Sequence, residues 1–563
     1  MTGVLDLQST KSNNSLDKLK PLNLTFENGV NVDKPEVSYE EFMNEADPAK
    51  LDSIEETPIG PFIYAITLAV ALGGALFGYD SAVISGVLVT IDDALGKTLT
   101  TGEKELITSI MSAGAFVGGI VGGVVIDRIG RRIPLLISSV LFIIGSIIQA
   151  SAFELIQMSI GRFVVGLGVG LAPMIVPVFI AELSPAKLRG KLITLDSICI
   201  TGFQVIAYLI DFAFQNVKGG WRYMVGAAAI PAMLFGISVY MIPDTPRFLI
   251  EKDRYEEATA VIRKIYPNAT EAQVKDKVSL ISSSFHFESE SVGQYTVWQR
   301  LKLLYTNKFN LKALIVACGL MGIQQFAGSN TITFYAPTLF SLVGFSQPIA
   351  VSIVTSGANC IFTVVSLFTV DRFGRRRLLV STVWIMTLFL VIAAVSIHYI
   401  PINSNLELDG APKLTWAGIL LLISIIGYIA GYAVGLGNVA WFGGELFPME
   451  VRSIGATMLN CTCWGSNVVV SSTYLSMMKH LTPSGAFGFY IGTTFVGWLC
   501  IIFFYPEVTD MTLEEIKEVF NHGFGVRYSS KLRKERLKKR LEDEGQVDLN
   551  EKSDSEHVEQ AQV

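Results

Sequence analysis

Asp80 lies in GGALFGYDSAVISG, residues 73–86, inside an apolar run from Pro61 to Ile91 that contains no lysine or arginine. An ionised aspartate at the centre of a bilayer costs ~2.5–3.5 kcal/mol on insertion scales, so it is read as functional and needs a named partner. Arg162, in GRFVVGLGVG, is the partner the sequence offers. A carboxylate beside a guanidinium can take up and release one proton: the arginine favours the ionised acid, and burial favours the neutral one. Protonation from outside would weaken the pair and free the helices that carry it. The alternative is a fixed salt bridge that never titrates.

QQFAGSN, residues 324–330, offers a second kind of chemistry through Gln324, Gln325 and Asn330. Amides both donate and accept hydrogen bonds, which suits a neutral, hydroxylated solute. On an ideal helix Gln325 and Asn330 lie about 140° apart and would not share a face. A break at Gly328 would swing Asn330 back toward the cavity that such a solute would occupy, as in the discontinuous helices of many transporters. The alternative role for each amide is an interhelical hydrogen bond of ~0.6–2 kcal/mol.

The elements that must hold these residues are membrane helices. Of 563 residues, 50% are hydrophobic and 17% charged, against about 25% charged in soluble chains. Runs long enough to cross a bilayer fall at 61–89, 106–126, 133–153, 157–181, 191–215, 221–243, 309–332, 347–370, 377–399, 415–443, 453–477 and 484–505. They give an all-α membrane protein of twelve spans, six on each side of a charged stretch. The domains are a mostly disordered N-terminal tail 1–59, a six-helix bundle 60–243, a helical linker 244–308, a second bundle 309–505 and a tail 506–563. Short linker helices are expected at 253–266 and 270–282. The basic segment 531–541 reads as a tail helix, either solvated or touching anionic lipid.

Arginines and lysines concentrate in the 2–3, 4–5 and 8–9 loops, the linker and the C-terminal tail. The positive-inside rule places those loops and both termini in the cytosol. Span 1 then runs outward and span 4 inward, so Asp80 and Arg162 both fall in the outer half of the membrane. The six cysteines all lie in apolar runs and read as packing residues. A net charge of −6 gives no reason to expect a nucleic-acid partner. No metal-ligand cluster, nucleophile elbow or phosphate loop appears, so no enzyme, cofactor or metal is expected.

The two halves echo each other. DRIGRR (Asp127, Arg128, Arg131, Arg132) follows span 2, and DRFGRR (Asp371, Arg372, Arg375, Arg376) follows span 8. AELSPAKLRG, with Glu182 and Arg189, follows span 4; GELFPMEVRS, with Glu445 and Arg452, follows span 10. Two echoes in register argue for a duplicated bundle with a site between the halves. The charged residues are candidates for a cytosolic gate, paired across bundle seams; simple topological anchoring is the alternative.

These motifs, with PDTPRFL (243–249), QQFAGSN and PEVTDMTLEEI (506–516), resemble the sugar porter family of the major facilitator superfamily over residues 60–520. GLGNVAWFGGELFP (435–448), VSIVTSGANCIFT (351–363) and HGFGVRYSS (522–530) look most like the fungal proton-coupled myo-inositol transporters. The resemblance implies alternating access, a polyhydroxylated substrate in a central cavity, and a proton site at Asp80 with Arg162. It also implies sugar contacts from Gln324, Gln325, Asn330, Gln204 and Asn359, aromatic walls from Trp441 and Trp464, and Tyr335 closing over the site from outside. Two departures stand out. Asn438 and Ala440 replace the prolines that usually precede Trp441, so span 10 is expected to bend differently. Ser197 stands where many hexose porters have glutamine, which fits a non-hexose ligand; Asp196 beside it is expected to face a neighbouring helix. The expectation is therefore a monomeric plasma-membrane importer of myo-inositol with protons. A symporter for a hexose, pentose or other polyol is the alternative, and a transporter-like nutrient sensor is disfavoured by the short tail.

Overall fold

A computed structural model describes residues 54–536 apart from 56, 92, 186–187, 294, 404–413, 510 and 512. The expected tail 1–53 and the end of the basic segment, 537–541, lie outside the described residues. Eleven helical segments are long and apolar enough to cross a membrane. They are span 1 (Phe62–Thr90), span 2 (Thr101–Ile129), span 3 (Arg132–Ala150), span 4 (Leu155–Leu183), span 5 (Arg189–Phe214), span 6 (Gly220–Met241), span 7 (Lys308–Leu342), span 8 (Pro348–Phe373), span 9 (Arg375–His398), span 10 (Trp416–Leu446) and span 12 (Thr482–Phe504). Span 11, Arg452–His480, is as long as spans 1, 2 and 4 at 29 residues but more polar. Its Asn460, Trp464, Asn467 and Ser471 recur at helical spacing along one buried stripe.

Three spans depart from a continuous helix. Span 6 breaks after Gly226 because Pro231 has no N–H to give the Ala227 carbonyl; Ile230 N–H reaches that carbonyl instead, at 3.0 Å. Span 7 runs on to Leu342, ten residues beyond the expected end, and breaks at Gly328, whose φ of +88° is a left-handed conformation open to glycine. Span 10 widens into a π turn at Tyr432–Leu436 and then tightens into a 3-10 turn at Ala440–Leu446. Asn438, in place of a proline, donates to the Ala433 carbonyl at 2.9 Å and ties off that turn.

Close backbone approach sets the packing inside the first half. A Cβ on Gly114, Gly118, Gly166 or Gly170 would lie 2.1–2.3 Å from a carbonyl oxygen of the facing helix, so spans 2 and 4 touch through glycine. Small residues at helix crossings are how membrane helices gain contact without a hydrophobic driving force. Spans 1 and 5 meet in the same way: Gly74, Gly78 and Gly86 lie against Asp196, Ile200 and Asp211. The halves join where span 2 meets span 11, span 5 meets span 8 and span 1 meets the second part of span 7.

One end of the bundle, called here the arginine face, carries the 2–3, 4–5 and 8–9 loops. The linker there holds four helices rather than the two expected: Pro246–Glu251, Tyr255–Ile265, Glu271–Gly293 and Val297–Thr306. The described part of the basic segment, 531–536, is docked through Arg533. Arg533 pairs with Glu507 at 2.9 Å and donates to the Phe373 carbonyl, which clamps the tail to the 8–9 loop.

Candidate functional site

A cavity of about 670 Å³ lies between the halves, within the ~300–1,000 Å³ of small-molecule sites. It opens toward the arginine face, where Arg189, Arg375, Glu445 and Arg452 line its mouth. The opposite end is shut by polar contacts across the seam. Ser112 donates to Asn467 at 2.6 Å, and Tyr208 donates to the Thr333 carbonyl at 2.7 Å. Glu105 accepts from the backbone N–H and hydroxyl of Ser476 at 2.7 and 2.6 Å.

The break at Gly328 does what the spacing required of it. Asn330 Nδ2 donates to Gln325 Oε1 at 2.9 Å. Asn467 Nδ2 donates to the same oxygen at 2.9 Å, Gln325 Nε2 donates to Gln324 Oε1 at 3.2 Å, and Gln324 donates to the Gly437 carbonyl at 2.8 Å. Gln325 is thus the hub of an amide layer fed by spans 7, 10 and 11. On the facing wall Asn359 donates to Gln204 at 3.1 Å, and Gln204 donates to the Ser81 hydroxyl at 3.3 Å. Gln204, Gln324, Gln325, Asn330 and Asn359 all line the cavity, as do Trp441 and Trp464. Phe77 meets Trp464 edge-on at 5.3 Å and completes the aromatic wall.

Tyr335 is placed elsewhere. It does not line the cavity; it is fully buried beyond it, donates to the Ser471 carbonyl at 3.0 Å and stacks on Tyr474 at 5.3 Å. The longer second part of span 7 carries it past the cavity into the closed seam. Asn467 was not anticipated, although the polar stripe of span 11 pointed to it. Asp196 faces span 1, as expected, but also forms part of the cavity wall.

Asp80 and Arg162 meet. Both carboxylate oxygens accept from Arg162 Nη1 at 2.7 Å, and Arg162 Nε donates to the Ile107 carbonyl of span 2 at 3.2 Å. The pair is sealed, with Asp80 2% and Arg162 0% exposed. It stands behind the cavity wall rather than in it. Ser81, which takes the Gln204 hydrogen bond, is the next residue in the chain, so one side-chain link separates the amide wall from the pair.

At the arginine face the two repeats reproduce each other residue by residue. Arg131 pairs with Glu182 at 2.8 Å, and Arg375 with Glu445 at 2.5 Å. Arg132 donates to the carbonyls of Val239 and Tyr240 that end span 6; Arg376 donates to those of Ile502 and Tyr505 that end span 12. The backbone N–H of Arg132 donates to Asp244, and that of Arg376 to Glu507. Asp244 and Glu507 were missed as members of this network, although PDT and PEVT follow spans 6 and 12 in the sequence. Burial pushes the Asp244 carboxyl up, against the backbone N–H groups of Thr245 and Arg132 that hold it down.

The acid–arginine pairs therefore run within each half and not across the seam between halves. Arg189 and Arg452 join neither pair: Arg452 donates to its own Phe447 carbonyl, and the two guanidinium groups lie within electrostatic range of each other. The reason is the open mouth, which keeps the halves apart at this end. Arg128 and Arg372 are exposed. The side chains of Asp127 and Asp371 lie outside the described residues.

Residues 66–520 match the family described as sugar (and other) transporter. Myo-inositol transporter 1 of Cryptococcus neoformans is 41% identical over 498 residues, 88% of this chain and 88% of the relative. Myo-inositol transporter 1 of Candida albicans is 39% identical over 496 residues, 88% of this chain and 89% of the relative. The proton:xylose symporter XylE, solved with 6-bromo-6-deoxy-D-glucose, superposes with a TM-score of 0.68 at 28% identity, covering 81% of this chain and 98% of that one. XylE from E. coli in a partially occluded inward-open conformation gives 0.66 at 27% identity, with 80% and 99% covered. With the family pattern running through both halves and an amide-walled cavity between them, the protein belongs to the sugar transporter family of the major facilitator superfamily.

Proposed function

We propose that the protein imports myo-inositol together with protons across the plasma membrane by alternating access. The bundles 60–243 and 309–505 are the moving bodies, tied by the linker 244–308, and one chain is the working unit. The arginine face is cytosolic and carries both termini, so the structure described is an inward-open state.

One observation carries this reading: on the cavity wall facing the Gln325 amide layer, Asn359 donates to Gln204 and Gln204 donates to Ser81, the residue next to Asp80 of the Asp80–Arg162 pair. Substrate and proton would then act on the same stretch of span 1. In the outward-open state water reaches Asp80, a proton loosens its bond to Arg162, and span 1 can shift against span 4. Substrate bound to the amides steadies the closed form. Release to the cytosol follows, and Arg162 draws the proton off by restoring the ion pair. At the mouth, closure would bring Arg189 to Glu445 and Arg452 to Glu182, each in the opposite half.

The relatives named as myo-inositol transporters support the substrate, as does Ser197 in place of a glutamine. Uptake of labelled myo-inositol and of glucose, in cells lacking their own carriers, tests the reading. Saturable inositol accumulation that a protonophore collapses is expected. Accumulation indifferent to the protonophore refutes the coupling, and uptake of glucose with no competition from inositol refutes the substrate.

A further inference from the structure

Asp196 is a carboxylate on the cavity wall that no side chain satisfies among the described residues; only the backbone of Gly74 on span 1 stands against it. It is 6% exposed and belongs to span 5, seven residues from the arginine-face end of that helix. Its Oδ1 is enclosed, has no hydrogen-bond partner, and presses on span 1 at Gly74, where a Cβ would stand 2.2 Å from it. Asp196 also lines the cavity. No cation offsets its charge: the guanidinium groups of the cavity belong to the mouth, and Asp196 forms no ion pair among the described residues. Of the neighbouring hydroxyls, Thr194 is spent on the Gly190 carbonyl and Thr201 on that of Ser197, while Ser197 itself lines the cavity beside Asp196. The Gln204 amide, two turns away, is engaged with Ser81.

A carboxylate only accepts hydrogen bonds, and leaving one unpaired in a dry wall is costly. What enters this cavity with donors to give is the transported solute. A polyol presents adjacent hydroxyls that the two oxygens of one carboxylate can bridge, and such charge-assisted bonds are short and strong. Asp196 lies eight residues, about 12 Å along the helix, from Gln204 toward the arginine face. The amides and the carboxylate therefore line different depths of the cavity.

We propose that Asp196 is a specificity-determining contact that accepts hydroxyl hydrogens from the transported polyol, and that it decides which ring position must carry a hydroxyl. The inference rests on the function proposed above, and deepens it.

The test is a competition series. Monodeoxy-inositols, each lacking one hydroxyl, compete with labelled myo-inositol for uptake by the full chain and by its Asp196→Ala and Asp196→Asn variants. In the unmodified protein, loss of the hydroxyl that Asp196 accepts should weaken competition about tenfold or more, because a site built around a hydrogen bond rejects the analogue that lacks it. In Asp196→Ala that penalty should fall to about twofold or less, while penalties at positions read by the amides persist. Asp196→Asn keeps the shape and one acceptor, so it should fall between. If a variant does not turn over, the same ratios are read from ligand-induced stabilisation of the purified chain. The same ranking and ratios in all three proteins would overturn the proposal, as would a uniform loss across every analogue. Should the unmodified protein take up no inositol, the reading of the substrate fails separately, and the same scan with deoxy forms of the sugar it does carry still decides the role of Asp196.

Discussion

Asp80→Asn removes the titrating group and keeps the shape. The structure gives the size of both consequences. The carboxylate makes two contacts of 2.7 Å to one guanidinium nitrogen that is wholly buried. Removing one partner of such a pair costs about 3–5 kcal/mol, because the remaining charge is stranded. The asparagine carbonyl retains one acceptor, and Arg162 keeps its bond to Ile107, so a loss near the lower end, about 3 kcal/mol, is expected. Neutralising both members together in an Asp80→Asn/Arg162→Gln variant should recover part of it. The transport consequence is larger. One charge moving through 100 mV releases about 2.3 kcal/mol, which at about 1.4 kcal/mol per decade supports roughly 50-fold accumulation of a neutral solute. Purified protein in liposomes, at an imposed inside-negative 100 mV, should concentrate labelled polyol toward that ratio. The Asp80→Asn variant should equilibrate near onefold, yet still exchange internal for external polyol in counterflow. Accumulation by Asp80→Asn equal to that of the parent, under the same potential, would refute the coupling role.

Gln325→Ala removes the oxygen that buried Asn467 and half-buried Asn330 both reach at 2.9 Å; their lost acceptor should raise KM for polyol about tenfold, read from initial uptake rates. Gly328→Ala puts a Cβ at φ +88° and 2.7 Å from the Tyr490 ring. A loss of about 1–3 kcal/mol in thermal unfolding is expected, with weaker polyol binding because Asn330 is turned away from Gln325. Glu105→Ala deletes the bonds of 2.7 and 2.6 Å to Ser476 that shut the face opposite the arginines. A cysteine placed at Thr108 should then react several-fold faster with a membrane-impermeant thiol reagent added outside, and an unchanged rate would show that the seal lies elsewhere.

Much of this architecture was legible in the chain because the bilayer imposes so strong a rule. Backbone groups in lipid must be satisfied within the helix, so apolar runs report spans with little ambiguity. The charged loops betrayed the duplication, and the arithmetic between Gln325 and Asn330 required a break where Gly328 provides one. Less legible were the ends of span 7 and the fracture of span 6. The fracture depends on a single residue, Pro231, which has no N–H for the Ala227 carbonyl, inside a stretch that hydropathy reads as uniform. The interior of the gate was misjudged for another reason. Glu182 and Glu445 each have several arginines in reach, and spacing along the chain does not say which half supplies the partner.

The one-dimensional order of residues determined that this is a duplicated membrane bundle, that an acid and an arginine occupy its interior, and that amides and aromatics collect near the middle of particular helices. These follow from composition and periodicity, which the chain carries wherever it folds. Only the folded molecule decided that Tyr335 seals a seam instead of touching the cavity, that Asn467 joins the amide layer, and that Asp196 is caught between Gly74 and the cavity with no side chain to satisfy it. Partners of that kind sit on helices far apart in sequence. Which of them meet is set by how closely two backbones can approach, a matter of side-chain volume at the crossing points that no single helix records.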